Sequence, residues 1–411
     1  MLESFYQIHD YLVAHAQTPI RRMLMNEIDW SQRLIAIKGA RGVGKTDFLL
    51  ARAKEIEEQR LRKNYGKLPV ADKTNRRSQG AYCLYVNFNN FYFTDHSLVE
   101  FAGEFVKAGG RYLLLDQMFK YLEWSKELRR CYDLYKDLHI VFSASPVMRL
   151  KEGNHDLSDV VKMYNLRGYS FREYLYMQTG IMLPVLTLEQ LLLNHETIAR
   201  NLCKRIDPLP YFHAYLNRGY YPSYREKVDF DTAVLKMMNM MLEVDVLVIK
   251  QIDVACLPKL RKLLHILLQT APCTLNISSI ASAIGLSRAT TMNYVKYLKD
   301  ARLLNLLYEQ NKSFPMKPSR VYMQNTNIAF RIVNRKLLPM EIYETYFYHA
   351  LHAIYPVNAT ERNAMFIVDG KYYFDVCEEI PQKPSIRPCA VGNIAIGEGN
   401  YIPLWMMGMM Y

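Results

Sequence analysis

The stretch Gly39-Ala40-Arg41-Gly42-Val43-Gly44-Lys45-Thr46 decides the fold class, because it fills every fixed position of the pattern G-x-x-x-x-G-K-[S/T]. A short apolar run, Arg33 to Ile37, precedes it, and a segment with helical spacing, Asp47 to Arg52, follows. A strand, a glycine-rich loop and a helix in this order place backbone N–H groups and a helix N-terminus around phosphate oxygens. The stretch therefore predicts a phosphate-binding loop, and the alternative is a glycine-rich turn that arose by chance.

The side chains of this loop predict ATP and Mg²⁺ as cofactors. Lys45 is expected to reach the β- and γ-phosphates, and the Thr46 hydroxyl is expected to hold Mg²⁺. The expected nucleotide-binding residues are Gly39, Ala40, Arg41, Gly42, Val43, Gly44, Lys45, Thr46 and Asp47.

The composition indicates a folded protein of several domains. A chain of 411 residues is longer than one hydrophobic core supports, so two or three domains are expected. Hydrophobic residues make up 50% of the chain, but no run of about 18 apolar residues occurs. The first five residues also lack the basic and apolar regions of a secretion signal. We therefore predict no membrane span and a cytoplasmic location.

The formal net charge of +12 is compatible with nucleic acid or another anionic partner. Charge alone reports on solubility and nonspecific binding. The excess is densest between Arg60 and Gly80, in a run that is typical of a solvated loop and that could also contact nucleic acid. The seven cysteines are scattered and form no C-x-x-C pair, which favours core thiols over a disulfide framework or a zinc site. They are Cys83, Cys131, Cys203, Cys256, Cys273, Cys377 and Cys389.

Three further apolar runs predict strands at residues 81–87, 111–116 and 139–142. The second run ends at Asp116, in the manner of a Walker B strand, so Asp116 is predicted to bind Mg²⁺ together with Thr46. The third run ends in Ser143-Ala144-Ser145, a polar pair that could sense the γ-phosphate. Helices predicted at 97–107 and 124–134 separate the strands. This alternation predicts an α/β fold, a parallel sheet with helices on both faces and the nucleotide at the carboxyl ends of the strands.

Several segments together resemble a bacterial and archaeal family of AAA-type ATPases. They are residues 39–46, Leu113 to Tyr121 followed by Trp124, Ser143-Ala144-Ser145, Leu166 to Leu175, Tyr215 to Pro222, and Ile402 to Trp405. The resemblance implies ATP binding and a C-terminal region with a winged helix and a remnant nuclease-like fold. With the patterns below, it predicts a P-loop domain at 1–180, a helical lid or linker at 181–257, a winged helix-turn-helix at 258–335 and a degenerate restriction-nuclease-like α+β domain at 336–411.

Two departures from the family concern hydrolysis. The family usually has Glu directly after the Walker B Asp, where it polarises the attacking water, and here that position is Gln117. An amide can hydrogen-bond water but cannot accept its proton. Family members also tend to carry Arg at the position of Asp159, so that role is lost or moved to Arg149 or Arg167. The predicted catalytic residues are Asp116, Gln117 and Ser143. The alternative is an enzyme that works through another carboxylate.

The order and spacing of the helices predicted in residues 258–307 are typical of a winged helix-turn-helix. Helices are predicted at 260–269, 277–283 and 288–301, with a turn at Gly285 and a cap at Ser287. If the last helix enters a major groove, it offers DNA the side chains of Arg288, Thr290, Thr291, Asn293 and Lys296. A purely structural or protein-binding module is the equal alternative.

The terminal region contains a predicted hairpin, residues 366–376, with its turn at Asp369-Gly370. By resemblance, Glu344, Asp369 and Asp375 fall near the carboxylates of a nuclease-like core. Such a core would need a Lys where Cys377 stands, so we predict no nuclease activity for this domain.

Three functions stay open at this stage. The first is an ATP-binding AAA-type protein, with slow or absent hydrolysis, whose nucleotide state sets the arrangement of its C-terminal winged-helix module. The second is a DNA-binding regulator or defence-associated factor with a structural nucleotide, and the third is an active ATP-driven motor. The expected partners are ATP or ADP and either double-stranded DNA or a protein, and the residues carry no indication of an oligomeric state.

Overall fold

The structure, a computed structural model, describes residues 2–16, 18–65, 82–151, 154–225, 229–332, 335–360 and 364–411. The chain divides into two compact units, Met1–Arg167 and Gly168–Tyr411. Among the described residues, no helix has both the length and the apolar character that crossing a membrane requires. Most of the basic run between Arg60 and Gly80 lies outside the described residues.

The first unit alternates helices with strands. Its elements are α1 (Leu2–His15), α2 (Leu24–Glu27), β1 (Leu34–Lys38), α3 (Lys45–Tyr65), β2 (Cys83–Asn87), α4 (Leu98–Lys107), β3 (Tyr112–Asp116), α5 (Trp124–Leu134), β4 (His139–Ala144) and β5 (Lys162–Asn165). Short 3-10 segments at Phe91–Thr94 and Met118–Lys120 follow β2 and β3.

The five strands form one parallel sheet in the order β2-β3-β4-β1-β5. Strands β1 to β4 are buried along nearly their whole length, as expected for a parallel sheet flanked by helices. Their carboxyl ends meet at one edge, where β1 runs into the loop at residue 39 and β3 ends at Asp116. The predicted α/β fold class is confirmed.

The local predictions for this unit hold closely. Helix α5 has the expected bounds, and α4 begins one residue after Ser97, whose hydroxyl accepts a hydrogen bond from the Glu100 N–H. Strand β5 was not predicted, because this edge strand contains no fully buried residue and hence no apolar run. Helix α1 was also not predicted.

The second unit is mainly helical in its first half and ends in a small sheet. Its elements are α6 (Phe171–Thr179), α7 (Leu188–Cys203), α8 (Pro208–Arg218), α9 (Phe230–Met240), α10 (Leu257–Thr270), α11 (Ile277–Ile284), α12 (Arg288–Asp300), β6 (Leu304–Leu307), β7 (Arg320–Met323), α13 (Thr326–Ile332), α14 (Pro339–Leu351), β8 (Val357–Asn358), β9 (Phe366–Val368), β10 (Tyr372–Cys377), β11 (Cys389–Val391) and β12 (Tyr401–Pro403).

The core of this unit is aromatic. Phe171, Phe212 and Trp405 are fully buried in one cluster that also takes in residues of α14 and the terminal sheet. That sheet has the order β12-β11-β10-β9-β8, parallel on the β10-β11-β12 side and antiparallel on the other. Strands β6 and β7 form a separate antiparallel pair. The four-domain division stays a prediction.

The predicted hairpin is confirmed, and one pair of cysteines differs from the core thiols that the sequence favours for most of them. Strands β9 and β10 pair antiparallel around Asp369 and Gly370, which have φ angles of 54° and 69°. Cys377 and Cys389 form a disulfide with a Cα–Cα distance of 6.6 Å. The spacing of the two residues gave no hint, because β10 and β11 become neighbours only through the order of the sheet.

Candidate nucleotide site

Residues 39–44 form the connection between β1 and α3. Gly42 and Gly44 have φ angles of 76° and 89°, a left-handed region that other residues rarely adopt. Helix α3 begins at Lys45, directly after this turn. The first N–H groups of a helix have no partner within the helix, and its N-terminus carries a partial positive charge. The loop therefore has the backbone geometry of an anion cradle.

The Lys45 ammonium group lies against this loop. Its Nζ donates to the carbonyl oxygens of Gly39 and Ala40 at 2.7 and 2.8 Å. These bonds hold the positive charge of Lys45 beside the helix N-terminus. Both features favour a bound anion at the same place.

Asp116, at the end of β3, accepts four hydrogen bonds and is only 2% exposed. Thr46 Oγ1 and the Tyr85 hydroxyl donate to Oδ2 at 2.7 and 2.8 Å. Ser143 Oγ and the backbone N–H of Gln117 donate to Oδ1 at 2.5 and 2.9 Å. Each oxygen of the carboxylate therefore accepts two hydrogen bonds. These partners hold the carboxylate in one orientation.

The pair Thr46 and Asp116 fits the chemistry of Mg²⁺. A hydroxyl has one proton and two lone pairs, so Thr46 can donate to Asp116 while a lone pair remains for a cation. Mg²⁺ prefers oxygen ligands and is usually bound by one or two carboxylates together with substrate phosphates. Thr46 and Asp116 are therefore the residues that would hold a magnesium ion beside the loop.

Two residues that were not predicted from the sequence, Tyr85 and His9, support Asp116 through hydrogen bonds. Tyr85 lies on β2, and burial, followed by the charge of Asp116, raises the pKa of Tyr85 far above its usual range. The phenol therefore stays protonated and remains a donor. The Tyr85 N–H in turn donates to Nδ1 of His9 on α1 at 2.9 Å. His9 is 3% exposed, and burial lowers its pKa.

The backbone N–H of Gln117 joins this residue to the site. Its φ angle is 57°, and its N–H donates to both Asp116 Oδ1 and Ser143 Oγ at 2.9 Å. Its side chain does not cap the 3-10 segment that follows. The proton of Ser143 is directed at Asp116. Ser143 therefore orients the carboxylate of Asp116, and its predicted role toward the γ-phosphate stays a prediction.

Asp159, where the family resemblance led us to expect an arginine, takes part in an ion pair. Asp159 accepts from Nη1 of Arg129 on α5 at 2.8 and 3.0 Å. Arg149 is exposed in the loop after β4. The backbone oxygen of Arg167 accepts a hydrogen bond from Arg22, whose other terminal nitrogen donates to the carbonyl of Val43. Arg22 therefore links the loop to the end of the first unit, and sequence reasoning did not identify it.

Helix α12 presents only part of the predicted DNA-contacting set. Arg288 and Asn293 are exposed. Thr291 is fully buried, and its hydroxyl donates to the carbonyl of Ser287 at 2.9 Å, so it does not belong to an exposed surface. Thr290 shares a hydrogen bond with the Ser287 hydroxyl, and Lys296 pairs with Asp300 on its own helix at 3.3 Å.

The three carboxylates of the terminal region are separately engaged. Glu344 is paired with Arg320 at 2.8 Å, and burial raises its pKa. Asp369 is paired with Lys371 at 3.3 Å and Asp375 with Arg387 at 2.9 Å. In the described part of the chain, no group of three or more His, Cys, Asp or Glu residues is arranged to hold a metal ion.

Comparison with known families supports the interpretation of the first unit. Residues 31–175 match a family described as AAA domain, and residues 209–330 match a domain of unknown function (DUF8612). The first match includes the loop, all five strands of the parallel sheet and the start of α6. Residues 31–175 therefore match the AAA domain family and have the parallel α/β fold of a P-loop domain.

More distant similarities extend along the chain. An uncharacterized protein of Methanocaldococcus jannaschii is 24% identical over 337 residues, which span 74% of this chain and 66% of that protein. An Orc1 protein of Aeropyrum pernix in complex with DNA is 12% identical and aligns over 80% of this chain and 90% of its own, with a TM-score of 0.32. AMPPCP-bound DnaA from Aquifex aeolicus is 13% identical over 73% of this chain and 88% of its own, with a TM-score of 0.25. PCH-2 of C. elegans is 13% identical over 72% of this chain and 66% of its own, also with a TM-score of 0.25.

Proposed function

We propose that this protein binds ATP with Mg²⁺ at residues 39–47 and hydrolyses it slowly or not at all. The observation that carries the proposal is the 2.7 Å hydrogen bond between Thr46 and Asp116. It joins the hydroxyl that follows the loop lysine to the carboxylate that ends β3. The two groups that would hold Mg²⁺ therefore already lie together.

Each element of the site has a separate task in this proposal. The loop N–H groups and the N-terminus of α3 receive the phosphates. Lys45 compensates their charge, and Thr46 and Asp116 hold Mg²⁺, which neutralises charge on the phosphate oxygens when it is bound. Ser143 keeps Asp116 oriented, since its hydroxyl donates to Oδ1.

The expectation of slow hydrolysis rests on Gln117. A general base contributes about 10²- to 10⁴-fold to a rate, and an amide cannot act as one. Asp116 does not replace it, because in this proposal its carboxylate serves Mg²⁺. The protein would therefore hold ATP for longer than a relative with Glu at this position.

A long-lived ATP state suits a regulatory role. We propose that nucleotide binding sets the arrangement of the winged-helix module, residues 258–335. The left-handed Gly285 between α11 and α12 and the Ser287 cap support the helix-turn-helix assignment. Hydrogen exchange of the full chain tests the coupling: ATP should change protection within 258–335 in the wild type but not in a variant that does not bind ATP.

A DNA-binding regulator is the second candidate. Arg288 supports it, because this exposed guanidinium stands at the first position of α12. An active motor, the third alternative, would be recognised by its turnover rate. A cytoplasmic location stays a prediction.

Lys45→Ala tests the nucleotide site directly. A hydrogen bond to a charged group contributes about 1.5–3 kcal/mol, so the loss of Lys45 should weaken ATP binding by about 10- to 100-fold. The matched control is Lys54→Ala, which removes an exposed lysine from the same helix. Calorimetric titration with ATP and Mg²⁺ measures both. Equal affinity of a folded Lys45→Ala variant and the wild type would overturn the proposal.

A further inference from the structure

We infer that Tyr85 is a positioning residue for the magnesium ion of this site, acting through Asp116. The inference rests on the proposed function, because it concerns how tightly the ATP-bound protein holds Mg²⁺. The juxtaposition that carries it is the 2.8 Å hydrogen bond from the Tyr85 hydroxyl to Asp116 Oδ2.

The order of the strands explains why this bond matters. Strand β3 lies between β2 and β4, so Asp116 is held from both sides of its own strand. Ser143 reaches Oδ1 from β4, and Tyr85 reaches Oδ2 from β2. The carboxylate is thereby fixed against rotation by side chains of both neighbouring strands.

The two donors to Oδ2 differ in kind. Thr46 is itself an expected ligand of Mg²⁺, and it belongs to the first turn of the helix that follows the loop. Tyr85 belongs to a strand, and its backbone is fixed by the hydrogen bond from its N–H to His9. Without the Tyr85 hydroxyl, Oδ2 would be held only by a group that must also serve the metal.

Tyr85 would not touch the nucleotide in this arrangement. It is 1% exposed, and its hydroxyl is engaged by Asp116. Its removal should therefore leave the contacts of the loop amides and Lys45 with ATP unchanged. Partners that orient a metal ligand from behind typically contribute about 10- to 100-fold to metal affinity. The expected effect thus falls on Mg²⁺ and spares ATP.

The test compares Tyr85→Phe with wild type in two titrations of the full chain with a fluorescent ATP analogue. In the first, EDTA removes divalent cations, and the affinity for the nucleotide is measured alone. In the second, the nucleotide is held constant and MgCl₂ is added to find the midpoint of the Mg²⁺-dependent change. Tyr112→Phe is the matched control, because it removes a phenol hydroxyl at the opposite end of β3. Thermal unfolding confirms that all variants are folded.

We expect Tyr85→Phe to raise the Mg²⁺ midpoint about tenfold or more, with an unchanged affinity in EDTA and a wild-type midpoint for Tyr112→Phe. An unchanged midpoint in Tyr85→Phe would overturn the inference while leaving ATP binding intact. An equal loss of nucleotide affinity with and without Mg²⁺ would also overturn it, because Tyr85 would then shape the loop. If the wild type shows neither ATP binding nor a response to Mg²⁺, the proposed function itself fails.

Discussion

Replacing Gln117 by Glu should convert a slow site into a hydrolytic one. The backbone of residue 117 is fixed by its N–H, which donates to Asp116 and Ser143. Glutamate has the same number of side-chain heavy atoms as glutamine, so it can occupy the same volume on this backbone. The substitution changes one side-chain nitrogen into an oxygen and leaves the groups that would bind ATP untouched.

The expected change in the hydrolysis rate follows from the absence of a general base, because the amide of Gln117 cannot accept a proton. Typical enzymes turn over at about 10 per second, and the absence of a general base lowers a rate by about 10²- to 10⁴-fold. We therefore expect the wild type to release phosphate at about 0.1 to 0.001 per second and Gln117→Glu to recover a large part of the difference. ATP affinity should change little, because Lys45 and the loop amides remain.

The assay is phosphate release at saturating ATP and Mg²⁺. Gln117→Asn is the matched control, since asparagine keeps the amide and tolerates the left-handed backbone at this position. An increase in Gln117→Glu but not in Gln117→Asn would assign the effect to the carboxylate. The reasoning is refuted if the wild type already turns over at about one per second or faster, or if the glutamate variant gains nothing.

Two further outcomes concern His9 and Arg288. Burial lowers the pKa of His9, and the charge of Asp10 opposes this shift in part. Below about pH 6.5, His9 is therefore protonated more fully in the unfolded chain than in the native protein. The free energy of unfolding consequently decreases as the pH falls. Between pH 7.5 and 5, the free energy of unfolding of the wild type should decrease by up to about 2 kcal/mol more than that of His9→Gln. In this variant the side-chain oxygen can still accept the hydrogen bond from the Tyr85 N–H. Identical pH profiles of denaturant unfolding for the two proteins would contradict this expectation. If α12 binds duplex DNA, affinity should fall steeply with salt, and Arg288→Ala should weaken binding more than Arg261→Ala, whose guanidinium is already paired with Glu243. Absence of any retained duplex at about 50 mM salt would leave the positive charge as a solvated surface.

The part of this structure that the sequence predicts best is the part with strong local signals. The loop, the strands around it and helix α5 depend on glycine spacing, buried apolar runs and helical periodicity, all of which are visible within a few residues. Helices α11 and α12 are similar, because Gly285 ends the first and Ser287 caps the second. Strand β5 lacks such a signal, since none of its residues is fully buried.

Contacts between distant segments could not be predicted in the same way. Tyr85 looks like any aromatic residue in a buried strand until the order β2-β3-β4 places it beside Asp116. His9 lies on a helix with no recognisable motif, 76 positions from its partner. The pairing of Cys377 with Cys389 and of Asp375 with Arg387 likewise depends on the neighbours of β10.

The contacts of Asp116 show that a sequence motif reveals only some of the residues that hold a metal ligand in place. The motif identifies a carboxylate and a threonine. With these two residues alone, the orientation of the carboxylate would depend on its one contact with the threonine hydroxyl. The structure adds a donor from each neighbouring strand and a backbone N–H, so the orientation of the carboxylate depends on the sheet as a whole. A buried carboxylate with this many partners loses little further freedom when a cation arrives, because its orientation is already fixed. Changes in β2, or in the helix α1 that contacts it through His9, should therefore alter the affinity for Mg²⁺ even though neither element touches the nucleotide loop through these contacts.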